Sequence, residues 1–163
     1  MSERSKQVRW ADPSVLMEAA KGKTGRAFLN AILQGEVPPA PISATLDFKL
    51  VEVGEGMTRF EGEPNESHFN PMGSVHGGWS ATLLDSAMGS AVMSLCDEKT
   101  AYSTAQLALH LTRAIFPATG KVIAEGRVVH RGKTVVTAEG KLTDEKGRVL
   151  AHGTTTCVLF PRD

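Results

Sequence analysis

The sequence has few cysteines, no excess of charge of either sign and no long apolar run, and each shortage argues against a class of protein. Its 163 residues include two cysteines, Cys96 and Cys157, without metal-type spacing, so reduced thiols in a cytoplasmic protein are expected. Lys plus Arg and Asp plus Glu both number 18, and this zero formal net charge favours neither nucleic-acid nor membrane binding. The polar first residues lead into no signal core, and no stretch approaches a membrane span.

The spacing of apolar residues changes along the chain and divides it into two segments. From Pro13 to about Gln34 the spacing is helical, with a break between Gly22 and Gly25, and Pro38–Pro41 follows as a stiff extended linker. From Thr45 the period becomes two, which indicates strands. We therefore predict an N-terminal helical arm with a Pro-rich linker at 1–44 and a main domain at 45–163. The arm either packs as a helix and spacer or covers a substrate channel.

The strand pattern predicts two strands before the most apolar stretch and four after it. Short connections join the late strands, so they should be mostly antiparallel. The stretch from Gly77 to Cys96 is apolar around most of a helical circumference, which is typical of a helix in the middle of a fold. We therefore predict an α+β fold in which an antiparallel sheet wraps around one long central helix. The predicted strands are Thr45–Val53, Met57–Glu63, Ala101–Leu111, Lys121–Val129, Thr134–Thr143 and Val149–Phe160.

The central helix contains a single formal charge and begins in an unusual way. Asp85 is the only ionisable side chain between Gly77 and Cys96, and an isolated carboxylate in an apolar setting needs partners or a function. The helix follows an Asn70-Pro71 turn and starts with His76-Gly77-Gly78. Glycines leave the first N–H groups of a helix accessible to a negatively charged oxygen. This segment therefore combines a potential oxyanion site with a carboxylate two turns further on.

The motif Asn-Pro-x-Gly-x-x-His-Gly-Gly, followed by Asp85 two turns later and set between strands, resembles that of hotdog-fold acyl-CoA thioesterases. The closest group is the phenylacetate-degradation type, often called PaaI-like. The resemblance covers roughly Thr45 to Phe160, so it implies a hotdog fold for the main domain. The N-terminal helical arm exceeds what the family core requires.

The resemblance also implies a role for each matching residue. Asp85 corresponds to the general base on water or the nucleophile on the thioester, and Ser103 to a hydroxyl that orients the water. The Gly77 N–H corresponds to the oxyanion donor, Asn70 to an amide that holds the carbonyl, and His76 to a residue near the sulfur leaving group. In that family the site lies between two copies, with Asp85 and Ser103 facing the other three residues of the neighbour.

Each of these residues also has a purely structural interpretation. Asp85 could cap a backbone group, Asn70 could serve only the turn before Pro71, and His76 could be only a helix-terminal residue. Ser103 could be an ordinary strand residue. The remaining histidines are scattered, and a metal site built from His68, His76 and Asp85 lacks a compact ligand pattern, so no metal is expected.

Further residues are candidates for substrate binding. Gly78 and Trp79 follow the oxyanion candidate directly and could contact the substrate. Arg131 and Lys133 lie in a basic turn between two predicted strands, where they form either a solvated turn or a phosphate contact for the coenzyme A nucleotide.

The favoured function is hydrolysis of an acyl-CoA thioester, with coenzyme A as part of the substrate and no separate cofactor. A hydratase or dehydratase on the same fold is disfavoured because His76 and Asp85 are two and a half turns apart. A non-catalytic acyl-CoA-binding protein is the alternative from another class. We also expect a homo-oligomer built from hotdog dimers, most simply a tetramer, because a long antiparallel sheet has edges to protect.

Overall fold

The computed structural model describes residues 3–162, and residues 1, 2 and 163 of the two predicted segments lie outside the described residues. Four α-helices lie within that range: α1 (Pro13–Ala20), α2 (Gly25–Leu33), α3 (Pro41–Thr45) and α4 (Gly77–Met93). The same range contains six strands: β1 (Phe48–Gly54), β2 (Met57–Gly62), β3 (Thr100–Leu111), β4 (Val122–Arg131), β5 (Val135–Asp144) and β6 (Val149–Pro161). Two short 3-10 turns lie at Glu66–His68 and Pro117–Thr119.

The strands form one antiparallel sheet in the order β1-β2-β4-β5-β6-β3. Helix α4 lies against this sheet and contacts strands from β1 to β6. Antiparallel neighbours need only short connections, as in the β4–β5 and β5–β6 hairpins. The predicted α+β architecture, a sheet wrapped around one long helix, is confirmed.

Close packing between α4 and the sheet explains why the sheet can wrap around the helix. Leu83, Leu84 and Met88 are fully buried on α4. At Gly126 on β4, an added Cβ would lie 2.4 Å from the Ala87 carbonyl oxygen, so glycine is what lets the strand reach the helix backbone. The Thr58 hydroxyl of β2 donates to the same carbonyl at 2.7 Å. The core therefore depends on backbone contact as well as on apolar side chains.

The helical pattern near the N-terminus forms two helices, α1 and α2, separated at the predicted glycine break. The prediction of a fully extended Pro38–Pro41 linker is wrong at its end, because Pro41 begins α3. Proline is well suited to the first turn of a helix, where its missing N–H has no partner to lose. Strand β1 consequently begins at Phe48 and not at Thr45, after Asp47 with its positive φ of 53°.

Strand β3 forms one edge of the sheet, with no further strand beyond it in the described part of the chain. Its residues from Ser103 to Leu107 are exposed on both faces. An open edge of this length offers unpaired N–H and C=O groups to another strand. None of the helices in residues 3–162 is long and apolar enough to span a membrane.

Candidate active site

Asp85 lies midway along α4, half-buried, where the helix faces strand β3. Its Oδ1 atom accepts a hydrogen bond of 3.0 Å from the Thr104 hydroxyl. Within residues 3–162 its Oδ2 atom has no hydrogen-bond partner. The carboxylate is therefore held in one orientation while one oxygen stays available.

The hydroxyl beside Asp85 belongs to Thr104, so the expected placement of Ser103 is wrong. Ser103 is exposed and lies on the other face of β3, opposite Val158 of β6. A β-bulge between Thr104 and Gln106 explains the difference, because one extra residue reverses the faces of the strand beyond it. The alternation of Leu107, Leu109 and Leu111 therefore cannot be extended back to Ser103. The sequence itself carries no clear signal of this bulge.

Asp85 and Thr104 lie in the wall of a cavity of about 270 Å³. The α4 side of this cavity is polar, with Ser86 and Ser90 on the same helix as Asp85. The opposite side is apolar and includes Phe28 and Ile32 of α2. The cavity thus places a carboxylate at the border of an apolar space.

Tyr102 also lines this cavity, and the sequence interpretation did not include it. Burial raises the pKa of its hydroxyl, so the group stays protonated. This hydroxyl has no hydrogen-bond partner among the described residues. It is the only tyrosine in the chain, and its position two residues before Thr104 places both on the cavity face of β3.

The start of α4 is organised by His76. The His76 Nδ1 atom accepts a 2.9 Å hydrogen bond from the Gly78 N–H, and the His76 N–H donates to the His68 carbonyl at 2.7 Å. Because Nδ1 accepts, the neutral ring carries its proton on Nε2. The Gly78 N–H is therefore occupied and not available to a substrate, whereas the Gly77 N–H has no partner within residues 3–162. Gly77 remains the oxyanion candidate.

Asn70 shapes the loop before α4. Its side-chain oxygen accepts from the N–H groups of Met72 at 2.9 Å and Ser74 at 3.3 Å, and its amide nitrogen donates to the Ser74 hydroxyl at 2.9 Å. Asn70 and Gly77 nevertheless line a common pocket of about 240 Å³. An added Cβ at Gly77 would lie 2.5 Å from a methyl carbon of Leu111, another residue of that pocket.

The candidate residues therefore form two separate groups on one chain. Asp85 and Thr104 share the larger cavity, and Asn70 and Gly77 share the smaller pocket. Gly77 and Asp85 are eight residues apart on α4, about 12 Å along the helix axis at 1.5 Å per residue. A single chain consequently does not bring the carboxylate and the oxyanion donor around one reacting carbon.

Trp79 belongs to the core, so its expected substrate contact is wrong for this chain. The side chain is buried, its ring stacks on His68 with centroids 5.5 Å apart, and its Nε1–H donates to the Leu46 carbonyl at 2.8 Å. These contacts fix the first turn of α4 against the end of α3.

Arg131 is the last residue of β4, Lys133 lies in the connection to β5, and both are exposed. This hairpin lies near the C-terminal end of α4: hydrogen bonds from Thr100 and Lys99, together with the charge of Arg131, lower the pKa of Asp97. Gly77 is at the other end of the helix, about 24 Å away along its axis. Among residues 3–162, no group of three or more His, Cys, Asp or Glu side chains could hold a metal ion.

The antiparallel sheet wrapped around α4 is a hotdog fold, and comparison with known proteins agrees. The family model of the thioesterase superfamily matches residues 72–151. A candidate esterase of Halobacterium salinarum is 33% identical over 112 residues, which cover 67% of this chain and 74% of that protein. The chain belongs to the thioesterase superfamily.

Solved structures confirm the resemblance to PaaI-like hotdog proteins. The phenylacetic acid degradation-related protein of Ralstonia eutropha JMP134 is 26% identical, with a TM-score of 0.72 over 80% of this chain and 98% of that one. The E. coli PaaI protein, from the phenylacetic acid degradation operon, has a TM-score of 0.71 over 84% of this chain and 95% of that one. At 20% identity the E. coli protein shows the shared fold alone.

Proposed function

We propose that this protein hydrolyses an acyl-CoA thioester to a free acid and coenzyme A, with Asp85 as the base that activates water. The observation that carries this proposal is the Thr104–Asp85 hydrogen bond at the border of an apolar cavity. A carboxylate oriented by one hydroxyl keeps a free oxygen for water, and the apolar space suits an acyl group. Membership of the thioesterase superfamily supports the reaction class.

In the proposed reaction, Asp85 takes a proton from water as the water oxygen attacks the thioester carbonyl carbon. The Gly77 N–H donates to the oxyanion that develops. The C–S bond then breaks and its electron pair leaves with sulfur, towards which the Nε2–H of His76 donates. The proton on Asp85 returns to solvent. A general base contributes about 10²–10⁴-fold and one oxyanion donor about 10²–10³-fold to the rate.

We propose that a second copy completes the site across the open edge of β3. Helix α4 runs antiparallel to β3, because Gly77 lies near Leu111 and Gly89 lies near Tyr102. If two β3 strands pair antiparallel around a two-fold axis in the exposed stretch 103–107, the second α4 is reversed. Gly77 of the second copy then lies near the half of β3 that carries Tyr102 and Thr104. Such dimers could assemble further into a tetramer.

Asp85→Asn tests the base because it keeps the shape and removes the charge. We expect kcat on the best acyl-CoA to fall by about 10²–10⁴-fold with little change in binding, since the charge acts only in the transition state. Free-thiol release measures the rate, and Glu98→Gln, which removes an exposed charge beyond α4, is the matched control. A folded Asp85→Asn protein with unchanged kcat would contradict the mechanism and favour a non-catalytic acyl-CoA binder.

Gly77 allows a sharper test of the oxyanion donor and of the second copy. Gly77→Pro removes the N–H at a position where proline suits the helix, whereas Gly77→Ala adds a Cβ beside Leu111 and keeps the N–H. We expect kcat of the proline variant to be about 10²-fold lower than kcat of the alanine variant, because only the proline variant lacks the N–H. If each site uses both copies, Gly77→Pro and Asp85→Asn chains mixed in equal amounts should regain roughly a quarter of the wild-type rate. About half of the dimers are then mixed, and each mixed dimer has one intact site and one site with both changes. Mixtures without any recovery would refute the shared site.

We further propose that Arg131 and Lys133 bind the nucleotide phosphates of coenzyme A. The reversal of the second copy would put the hairpin of one chain at the same end of the paired strands as Gly77 of the other. Replacing both residues by Ala should raise KM for acyl-CoA and leave kcat nearly unchanged, because the contact is the same in ground and transition states. Short thioesters without the nucleotide are the control. An equal loss of activity on them would show that the hairpin acts in another way.

A further inference from the structure

The N-terminal helical arm supplies about half of the lining of the Asp85 cavity. Phe28, Leu29 and Ile32 of α2 and Ile42 of α3 contribute to its apolar side. The arm residues in the lining include one polar side chain, Ser43. The arm is thus one wall of the space next to the candidate catalytic carboxylate.

Specific contacts hold this wall against the rest of the fold. The Gly25 N–H donates to the Cys96 carbonyl at 3.0 Å, and the Arg162 guanidinium donates to the Ala20 carbonyl at 3.1 Å. Ile32 and Met93 both pack against a small apolar cluster formed by Ala20, Phe28, Ala31 and Val37. Because Met93 is the last residue of α4, this cluster ties the arm to that end of the helix.

The cavity extends along α4. Asp85 and Met93 both line it and are eight residues apart on α4, about 12 Å along the axis. Thr104 lies at the Asp85 end of the cavity. Ile32 lies at the Met93 end, because Ile32 and Met93 pack against the same apolar cluster. A chain that has its carbonyl beside Asp85 would therefore run along α4 towards Ile32.

We infer that the N-terminal helical arm determines which acyl group the protein accepts, with Ile32 as the residue that limits acyl length. This inference rests on the proposed function of the Asp85 site. Ligand pockets commonly measure about 300–1,000 Å³, and the present cavity of about 270 Å³ suits a compact apolar acyl group instead of a long fatty chain. Ser86, Ser90 and Tyr102 lie on the α4 and β3 side of the cavity, and Ser43 is the only polar side chain that the described arm residues contribute, so the arm side favours an apolar acyl group.

Two opposite changes at one position test the inference. Ile32→Ala enlarges the Met93 end of the cavity and Ile32→Trp fills it. Leu33→Ala and Leu33→Trp are the matched controls, because Leu33 is the next residue of α2, is more exposed and does not line the cavity. Ile32→Met, which nearly conserves volume, controls for general damage to the arm, and thermal unfolding checks that every variant is folded.

The readout is kcat/KM for straight-chain acyl-CoAs from four to fourteen carbons, together with the calorimetric affinity of the hydrolysis-resistant S-alkyl-CoA thioethers of the same lengths. We expect the preferred length to increase in Ile32→Ala and to decrease in Ile32→Trp, with the ratio of longer to shorter chains changing about tenfold. Wild-type protein that binds the thioethers in a length-dependent way but hydrolyses no acyl-CoA would refute the proposed function and leave the inference standing. Ile32 variants with the wild-type length profile in both assays would overturn the inference, whatever the wild-type activity.

Discussion

Gly25→Ala is a stringent test of how the N-terminal helical arm docks. Gly25 is the first residue of α2, and a Cβ added there would lie 1.9 Å from the Met93 carbonyl oxygen. A carbon and a carbonyl oxygen normally stay at least about 3.3 Å apart, so α2 would have to move outwards by roughly 1.4 Å. The backbone of Met93 is fixed within α4 and cannot move aside as a flexible side chain could.

The expected cost follows from the contacts that this movement changes. The Gly25–Cys96 hydrogen bond of 3.0 Å would be lost, which costs about 0.5–1.5 kcal/mol. Overpacking adds about 1–3 kcal/mol, and the lower entropy of the unfolded alanine chain returns about 0.4–1 kcal/mol. The net loss of unfolding free energy is about 2 kcal/mol, which lowers Tm by roughly 4–8 °C for a chain of this size.

Urea unfolding and limited trypsin digestion together measure this effect. Cleavage at Lys21, Lys23 and Arg26, which flank the contact, should accelerate if the arm detaches locally before the sheet unfolds. The control is Gly22→Ala, where φ is +66° but no atom lies within 4 Å of an added Cβ, so the cost is confined to the backbone of the turn. Gly25→Ala protein with wild-type stability and wild-type resistance to trypsin would refute the docking argument.

Three further perturbations test the core and the ionised groups. Leu84→Ala, at a fully buried position of α4, should lower the unfolding free energy by about 2–5 kcal/mol in urea titrations, whereas a loss below about 1 kcal/mol would contradict the packing described here. Burial lowers the pKa of His68, and Asp47 only partly opposes this. The unfolding free energy should therefore keep its full value above about pH 6.5 and decrease as pH falls below that value, because the buried ring must then bind a proton. His68→Gln should not show this decrease. Although burial opposes it, hydrogen bonding and the charge of Arg148 lower the pKa of Asp144. Ionised Asp144 should therefore stabilise the fold above about pH 4, and this stabilisation should be lost below that pH. In Asp144→Asn, Tm should fall less steeply as the pH is lowered.

Several features of the candidate site depend on contacts that no local pattern reveals. The bulge in β3 arises where that strand pairs with β6. Because of it, Thr104 and not Ser103 lies beside Asp85. The Gly78 N–H is used by His76, so of the two glycine N–H groups only that of Gly77 remains without a partner in the described chain. Trp79 stacks on His68 from the preceding loop and is thereby removed from the list of substrate contacts.

The sequence by itself determined the order of the six strands and the central helix, because apolar period and glycine or proline breaks act over a few neighbouring residues, but it missed the short helix α3. It also identified Asp85 as the one charge on an apolar helix and a potential oxyanion site at the glycines that begin this helix, since both are properties of a single segment, whereas the choice of Gly77 came from the family resemblance. Only the tertiary structure decided that the N-terminal helical arm forms one wall of the Asp85 cavity and that Asp85 and Gly77 lie in separate pockets of one chain. The reason is geometric: helix length fixes the distance between two residues of α4, but the neighbours of each depend on how segments far apart in the chain pack together.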